Sequence, residues 1–406
     1  MDFRFSILVP TRQRPDTLPA TLATLTQQTG DDYEIVVADN FGDAEVDKVV
    51  KAAQERHPRI KHIRSDRVLP MAVNWEKGLA ACSGQYVSVL GDDDGFLPST
   101  LGAVRRLVSI ANPRVIAWNV HAYYWPDTIV YWHRNRLYAV LGNHELQWRE
   151  SRLALVENYR DVVGFGDLPT IYNGFVHRDV INTVKSRFGG YFVPVDMSPD
   201  VCSGILNLVH TGRYLFSGRP LAVRGTSRRS NGTSFWKRSL GKEQQEIYQK
   251  EEGKTLEQLA HPTLNASANL GFGVAMTKLH LKDLLFPHDD ELRIDLSALI
   301  KHTIATLNDD PDAYDDNLAD ALKLADRIGF TVDPRTIPPR RRSTENTQVR
   351  GPFQNPKSDV NIAVDCSLLN IFDVAGAAWI AEAMSTPALI EEVRSANDAT
   401  PLRKAG

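Results

Sequence analysis

Three aspartates, Asp92, Asp93 and Asp94, stand side by side in "VLGDDDGFLP", directly after a strand-like apolar run. Adjacent like charges repel one another, and a solvated turn has no need of three. A hard divalent cation such as Mg²⁺ or Mn²⁺ takes oxygen ligands and often sits between protein carboxylates and substrate phosphates. Gly91 and Gly95 flank the triplet and allow tight backbone paths on either side. Taken alone, such a triplet is as readily an exposed acidic turn. Its placement relative to other polar residues is what argues for metal binding.

Those residues sit at the ends of two further apolar runs. "RFSILVP" (4–10) reads as a buried strand, "YEIVVAD" (33–39) as a second, "IKHIR" (60–64) as a third and "QYVSVLG" (85–91) as a fourth. Helices over 15–28, 43–56 and 71–82 alternate with them, and a fourth begins near Pro98 and ends before Pro113. This alternation predicts an α/β fold with a mostly parallel central sheet flanked by helices. Ligands of such sheets bind outside the carboxyl ends of the strands. Thr11, Arg12 and Arg14 end the first strand, Asp39 and Asn40 the second, and the aspartates the fourth. Three separate elements thus deliver polar side chains to one edge.

The bulk numbers narrow the setting. A chain of 406 residues fills one large or two medium domains. A net charge of -3 offers no bulk reason to expect nucleic acid as a partner. Three scattered cysteines, Cys82, Cys202 and Cys366, form neither a zinc spacing nor a disulfide framework, so a reducing, cytoplasmic location is expected. The N-terminus enters a strand without a signal-peptide pattern, and no apolar run reaches the roughly 18 residues of a spanning helix. Membrane contact is expected to be at most peripheral, at the inner face.

Beyond residue 113 the pattern loosens. "RVIAWNVHAYYW" and "TIVYWHR" predict a hairpin turning at Pro126–Asp127. A strand and helix precede the Gly189–Gly190 turn, and 198–212 predicts a helix with Ser198 as N-cap and Pro199 at its first position. A strand over 214–224 leads into "GTSRRSNGTS", whose Arg228 and Arg229 suit a flexible loop closing over a diphosphate. Trp118, Tyr123, Tyr124, Trp125 and Trp132 form an aromatic-rich stretch. Sugars stack on such rings, although core packing is the stronger reading. His121, His177 and His210 have no metal-ligand spacing.

The expected organisation is a first domain over 1–240 in two parts, 1–112 and 113–240. A helical extension follows over 241–332, with helices at 242–260, 273–286, 291–307 and 314–329. Residues 333–360 read as a linker or irregular arm, and 361–406 as a C-terminal helical segment with a helix near 366–396. An acceptor channel, a homo-oligomer interface and a docking surface for other enzymes are all uses open to these helical parts.

The segments "SILVPTRQRPDTL", "EIVVADN" and "MAVNWEKGLAACSGQYVSVLGDDDGFLP", in this order and spacing, resemble the family-2 glycosyltransferases. These are inverting enzymes of GT-A fold that use nucleotide diphosphate sugars, and the resemblance covers roughly residues 4–235. It implies that 1–240 is a catalytic domain with a nucleotide-sugar side (1–112) and an acceptor side (113–240), in a metal-dependent hexosyltransferase that moves a sugar, from a UDP-sugar by preference, to the hydroxyl of a saccharide or other acceptor. Polysaccharide or glycoconjugate synthesis is the setting that follows. It places Pro10, Thr11 and Arg14 in the nucleotide pocket, Asp39 on the base, and Arg64, Asn74 and Lys77 toward the donor.

The family's acidic DXD-type motif, often written D-x-D-D, has Gly91 at its first place here and Asp92, Asp93 and Asp94 at the other three. The expected division puts Asp93 or Asp94 on a Mn²⁺ or Mg²⁺ ion and Asp92 toward the donor. The family's base is an acid at a helix start after a Gly-Gly segment, which selects Asp200, with Asp196 as its rival. A helix N-terminus lowers a carboxyl pKa, so burial must counter it for Asp200 to act well near neutrality. Two other readings stay open: a sugar-phosphate nucleotidyltransferase, although "PTRQRPDTL" lacks its glycine-rich loop, and a non-catalytic nucleotide-sugar-binding module.

Overall fold

The computed structural model describes residues 4–141, 145–192, 198–341 and 361–385. The first third of the chain alternates as its hydrophobic pattern predicts. β1 (Phe5–Thr11), α1 (Leu18–Thr26), β2 (Tyr33–Asp39), α2 (Ala44–Arg56), β3 (Ile60–Arg64), α3 (Met71–Ala81), β4 (Tyr86–Val89), the short β5 (Gly95–Phe96) and α4 (Thr100–Ala111) follow one another. β3, β2, β1 and β4 are parallel neighbours. Their register pairs Thr11 with Asp39 and Asp39 with Arg64, which sets the polar strand ends along one edge.

Next come β6 (Val115–Tyr124), β7 (Arg136–Val140), β8 (Leu146–Glu150), α5 (Ser151–Arg160), β9 (Gly174–His177), α6 (Arg178–Phe188), α7 (Pro199–His210) and β10 (Arg213–Thr226). β9 runs antiparallel between β4 and β6, so the sheet is mixed, with its parallel half at the N-terminal side. Alternate residues of the central strands enter two different cores. Leu8, Val36, Val87 and Val89 pack with α3, α5, α6 and α7, whereas Ile7, Val9, Ile35 and Val37 pack with α1, α2 and α4. A strand buried on both faces needs the near-continuous apolar run that the sequence carries.

The hairpin expected at Pro126–Asp127 is not the one that forms. Thr128 and Val130 are buried and Tyr131–His133 is a single 3₁₀ turn, so the strand that returns along β6 is β7. Burial of these two side chains turns the chain inward before it can extend. Ser198 does precede α7, but its backbone is left-handed (φ 42°) and its hydroxyl makes no cap.

The helical extension comprises α8 (Asn231–Trp236), α9 (Lys242–Glu252), α10 (Leu256–Leu259), α11 (Leu270–Leu285), α12 (Leu296–Ala305) and α13 (Tyr314–Ile328). The helix expected over 242–260 is two. Gly253, at φ 66°, ends α9, and Thr255 opens α10 with a capping box to Gln258. α11 packs on α7, which joins this extension to the sheet domain. The last described segment opens with a strand, β11 (Asn361–Asp365), antiparallel to β7, before α14 (Val374–Met384). α14 buries Val374, Ala377, Ala378 and Ala381 against Leu97, Tyr123, Trp125, Leu137 and Val223. Asp373 caps it through the Gly376 amide, so the helix begins later than the apolar run suggests. Among the described residues, no helix is long and apolar enough to cross a membrane.

Candidate active site

The aspartates lie between β4 and β5, on a turn closed by the Asp94 amide on the Gly91 carbonyl (3.2 Å). They are not solvated: Asp92, Asp93 and Asp94 are 5, 5 and 2% exposed. Even the turn's carbonyls are held, Asp93 O by Trp125 Nε1 (2.9 Å) and Asp94 O by Thr21 Oγ1 (2.7 Å).

Each carboxylate has its own surroundings. Asp92 accepts from Thr11 Oγ1 (2.6 Å) and from Arg14 Nη1 (3.0 Å). Asp93 Oδ2 accepts from Ser227 Oγ and Ser230 Oγ, both at 2.6 Å, and lies 3.5 Å from the same Arg14 nitrogen. Asp94 Oδ1 accepts from the Gly225 amide (2.6 Å), and its Oδ2 from Tyr172 Oη (2.5 Å) and the Gly91 amide (3.1 Å). Asp94 is thus braced by backbone, whereas Asp92 and Asp93 share a cation.

The tight fit also explains Gly91. A β-carbon there would run into the Tyr172 hydroxyl and Asp94 Oδ2, so an acid at this position has no room. Gly225 is equally constrained, with the Asp93 carbonyl where its side chain would be.

Burial pushes the Asp92 carboxyl up to about 6 against the pull of Arg14, with Asp93 adding repulsion. Burial and then Asp93 push Asp94 up to about 7. Burial disfavours the Arg14 guanidinium, yet Asp92 and Asp93 hold it above its ordinary value. Three carboxylates with one guanidinium in contact leave uncompensated negative charge, which is what a divalent cation relieves. Among the described residues no three His, Cys, Asp or Glu side chains gather as a metal cage. One or two carboxylates are the donor set with which an ion of the Mg²⁺ or Mn²⁺ type is held when its remaining ligands come from phosphate and water.

The strand-edge residues divide. Arg14 Nη2 donates to the Arg229 carbonyl, and Arg229 Nη1 donates to the Gln13 carbonyl (2.6 Å), so the 225–231 loop closes on the loop after β1. Arg228 is exposed on that loop, and Pro10 is half-buried at the end of β1. Asp39 is fully buried. It accepts from the Gly42 amide (2.6 Å) and lies 3.3 Å from His62 Nε2, while Arg64 donates to the Gly42 carbonyl. Asn74 is buried and donates to Ala38 O (3.0 Å), and Lys77 reaches Arg64 O (2.9 Å). These two side chains join α3 to the ends of β2 and β3 rather than to the aspartates.

Asp200 occupies the second position of α7 and borders a cavity of 240 Å³ with Trp118, Val120, Val140, Tyr172 and Arg224. Burial raises its pKa, outweighing the helix-start amides of Val201 and Asp200 itself, which lower it. Tyr172 lines the same cavity while its hydroxyl rests on Asp94, so one side chain connects the aspartate turn to the Asp200 cavity. Asp196 lies outside the described residues.

The sequence reading missed Tyr172, Ser227, Ser230, Arg224 and His62. Ser227 and Ser230 do stand in the polar loop around the two arginines, and His62 lies on the predicted third strand. Tyr172 carries no local signal, because its role comes from packing alone.

Residues 6–162 match the family model described as Glycosyl transferase family 2. An uncharacterized glycosyltransferase of Haemophilus influenzae is 30% identical over 110 residues, 27% of this chain and 36% of that protein. A Campylobacter jejuni protein named GalNAc(5)-diNAcBac-PP-undecaprenol beta-1,3-glucosyltransferase is 32% identical over 111 residues, 27% of this chain and 35% of that protein. The matched segment thus spans about a third of each relative's length. Among solved structures, S. aureus TarS 1-349 aligns over 82% of this chain and 93% of that one, with 12% identity and a TM-score of 0.43. The mannosyltransferase PcManGT of Pyrobaculum calidifontis, in complex with GDP-Man and Mn²⁺, aligns over 80% and 86%, with 16% identity and a TM-score of 0.39.

Proposed function

We propose that residues 6–162, which match the family-2 glycosyltransferase model, make this chain a glycosyltransferase, and that it transfers a hexose from a nucleotide diphosphate sugar to a hydroxyl of a saccharide-bearing acceptor, with inversion. UDP is the favoured nucleotide. The observation that carries this reading is the buried Asp92–Arg14–Asp93 cluster at the carboxyl ends of the parallel strands, linked through Asp94 and Tyr172 to the cavity bordered by Asp200. The glucosyltransferase name of the Campylobacter relative supports a saccharide acceptor.

Asp92 and Asp93 would hold a Mn²⁺ or Mg²⁺ ion, which supplies charge stabilisation to the departing diphosphate. Asp94, saturated by two amides and the Tyr172 hydroxyl, fixes the turn that aims the other two carboxylates. Thr11, Arg14, Arg228 and Arg229 line the phosphate side. Asp39, with His62, Arg64 and Gly42, shapes the nucleotide wall at the neighbouring strand ends.

Asp200 takes the acceptor hydroxyl proton while that oxygen bonds the anomeric carbon and the bond to the diphosphate breaks. Its burial-raised pKa suits a base that works nearer neutrality than a solvated carboxylate. The test is sugar release or transfer from UDP-sugars with Mn²⁺ and after EDTA, in wild type, Asp93→Ala and Asp200→Asn, with product anomeric configuration read by NMR. Metal-stimulated turnover with inversion, lost in both variants, is expected. Retention of configuration, or full activity of Asp93→Ala in EDTA, would overturn the reading.

A further inference from the structure

The loop after β1 carries two arginines whose side chains diverge around Gln13, which is left-handed at φ 51°. Arg14 turns to Asp92 and Asp93. Arg12 turns to the helical extension, where its Nη1 is ion-paired with Glu251 in the last turn of α9. The Arg12 backbone amide nevertheless bonds to Asp92, so by its main chain this residue belongs to the aspartate turn.

Arg12 is short of negative charge. Burial, and after it the nearby Arg229, disfavour its guanidinium. Among the described residues its buried Nε has no hydrogen-bond partner, so its donor fork is only partly used. The guanidiniums of Arg12, Arg14 and Arg229 thus gather where the proposed reaction brings a diphosphate.

Glu251 and its neighbour are bound differently. Glu252 Oε1 accepts the Met71 amide (2.8 Å) at the start of α3, where Pro70 offers no side-chain cap. That bond closes a helix end. The Arg12–Glu251 pair joins two side chains that are 25 and 20% exposed, so a competing anion can reach it. α9 is tied in turn to the segment after the 225–231 loop: Gln245 Nε2 donates to Ser234 O (2.6 Å) and Gln244 Nε2 to Asn231 Oδ1 (2.8 Å). That loop supplies Ser227 and Ser230 to Asp93.

A carboxylate and a phosphate compete for the same guanidinium fork, and a diphosphate brings more charge to it than one carboxylate. We infer that Glu251 is a built-in competitor of the donor: it holds Arg12 until a diphosphate takes Arg12 over, which frees the C-terminal end of α9. The inference rests on the proposed nucleotide donor. It adds a latch through which the helical extension sets how readily that donor binds.

Calorimetry of the full chain with UDP and with GDP, each with Mn²⁺, reads the exchange. The variants are Glu251→Gln, Arg12→Met, their double variant and Glu252→Gln, each checked by thermal melting. Glu251→Gln should tighten nucleotide binding about three- to tenfold, the penalty carried by a site that is open only part of the time. Arg12→Met should weaken binding, and adding Glu251→Gln to it should gain nothing. Glu252→Gln should lower the melting temperature without tightening binding. Unchanged or weaker binding by folded Glu251→Gln, unchanged binding by Arg12→Met, or an equal gain in the Arg12→Met background would overturn the latch. The same tightening by Glu252→Gln would reduce the effect to bulk charge and overturn it too. Sugar transfer assayed alongside separates the two readings. Transfer without the gain refutes only the latch, the gain without transfer refutes only the reaction, and no nucleotide binding by any variant refutes both.

Discussion

The aspartate turn and the Asp200 cavity lie on either side of Tyr172, and they are built in opposite ways. At the turn nearly every polar atom has a partner, and the three carboxylates draw on Thr11, Arg14, Tyr172, Gly225, Ser227 and Ser230. At the cavity Asp200 stands at a helix start among Trp118, Val120 and Arg224, with open volume before it. On the proposed function the turn would hold the same diphosphate in every turnover, a task that benefits from a rigid, preorganised shell. A site that must admit a large acceptor needs space. The contrast teaches that the aspartate turn is specified by hydrogen bonds and the Asp200 cavity by shape.

The largest expected effect tests the rigid half. Asp93→Ala should lower kcat/KM on the order of 10³-fold, since charge stabilisation at a leaving diphosphate is worth several kcal/mol. A loss under tenfold, measured with saturating Mn²⁺, would show that Asp93 is not where charge is compensated. Asp200→Asn should lower kcat by about 10²–10³-fold and leave UDP-sugar affinity within a small factor. The wild-type rate should fall as pH drops through the raised pKa of Asp200, because the base must be ionised, and this limb should lie above the roughly 3.9 of a free aspartate. A parallel loss of donor affinity would merge the two halves.

Packing between the halves gives the next effect. Gly91→Ala should cost about 1–3 kcal/mol by crowding Tyr172 and Asp94, and Gly91→Ala with Tyr172→Phe should recover part of it. Additive melting shifts in the double variant would deny that collision.

Stability against pH tests the charge excess. Folded Asp92 and Asp94 have pKa values raised to about 6 and about 7, above the roughly 3.9 of an unfolded aspartate, so the native state binds more protons in this window. Without metal, stability should therefore fall as pH rises from about 4 to 7 and level off above. Asp92→Asn should flatten the slope, and a slope of opposite sign in wild type would contradict the assigned environments. The smallest change is Trp125→Phe, which removes one hydrogen bond to Asp93 O and should cost about 0.5–1.5 kcal/mol in a denaturant melt.

Much of the donor half could be read from the chain. β1 to β4 with their intervening helices, and α4, follow from apolar runs and helix periods, and Thr11, Arg14, Asp92 and Asp93 all reach one cluster. Asn74 and Lys77 looked equally available, yet both are taken up by carbonyls of neighbouring strands. A polar residue on a helix gives no indication of whether it will face a ligand or bridge to a strand end. Beyond residue 113 the reading weakened, because Thr128 and Val130 are buried by distant packing and the return strand shifts to β7.

The order of strands, the acidic turn and its family likeness are properties of the chain alone, because hydrophobic period and turn chemistry act between residues close in sequence. What each aspartate does was decided only in three dimensions. Asp94 differs from Asp93 because Gly225 and Tyr172, 131 and 78 residues away, meet one and Ser227 and Ser230 meet the other. Gly91 is glycine for a reason of the same kind, since the Tyr172 hydroxyl fills the space its side chain would need. Contacts of that range depend on how the sheet brings distant strands together, and no local pattern encodes them.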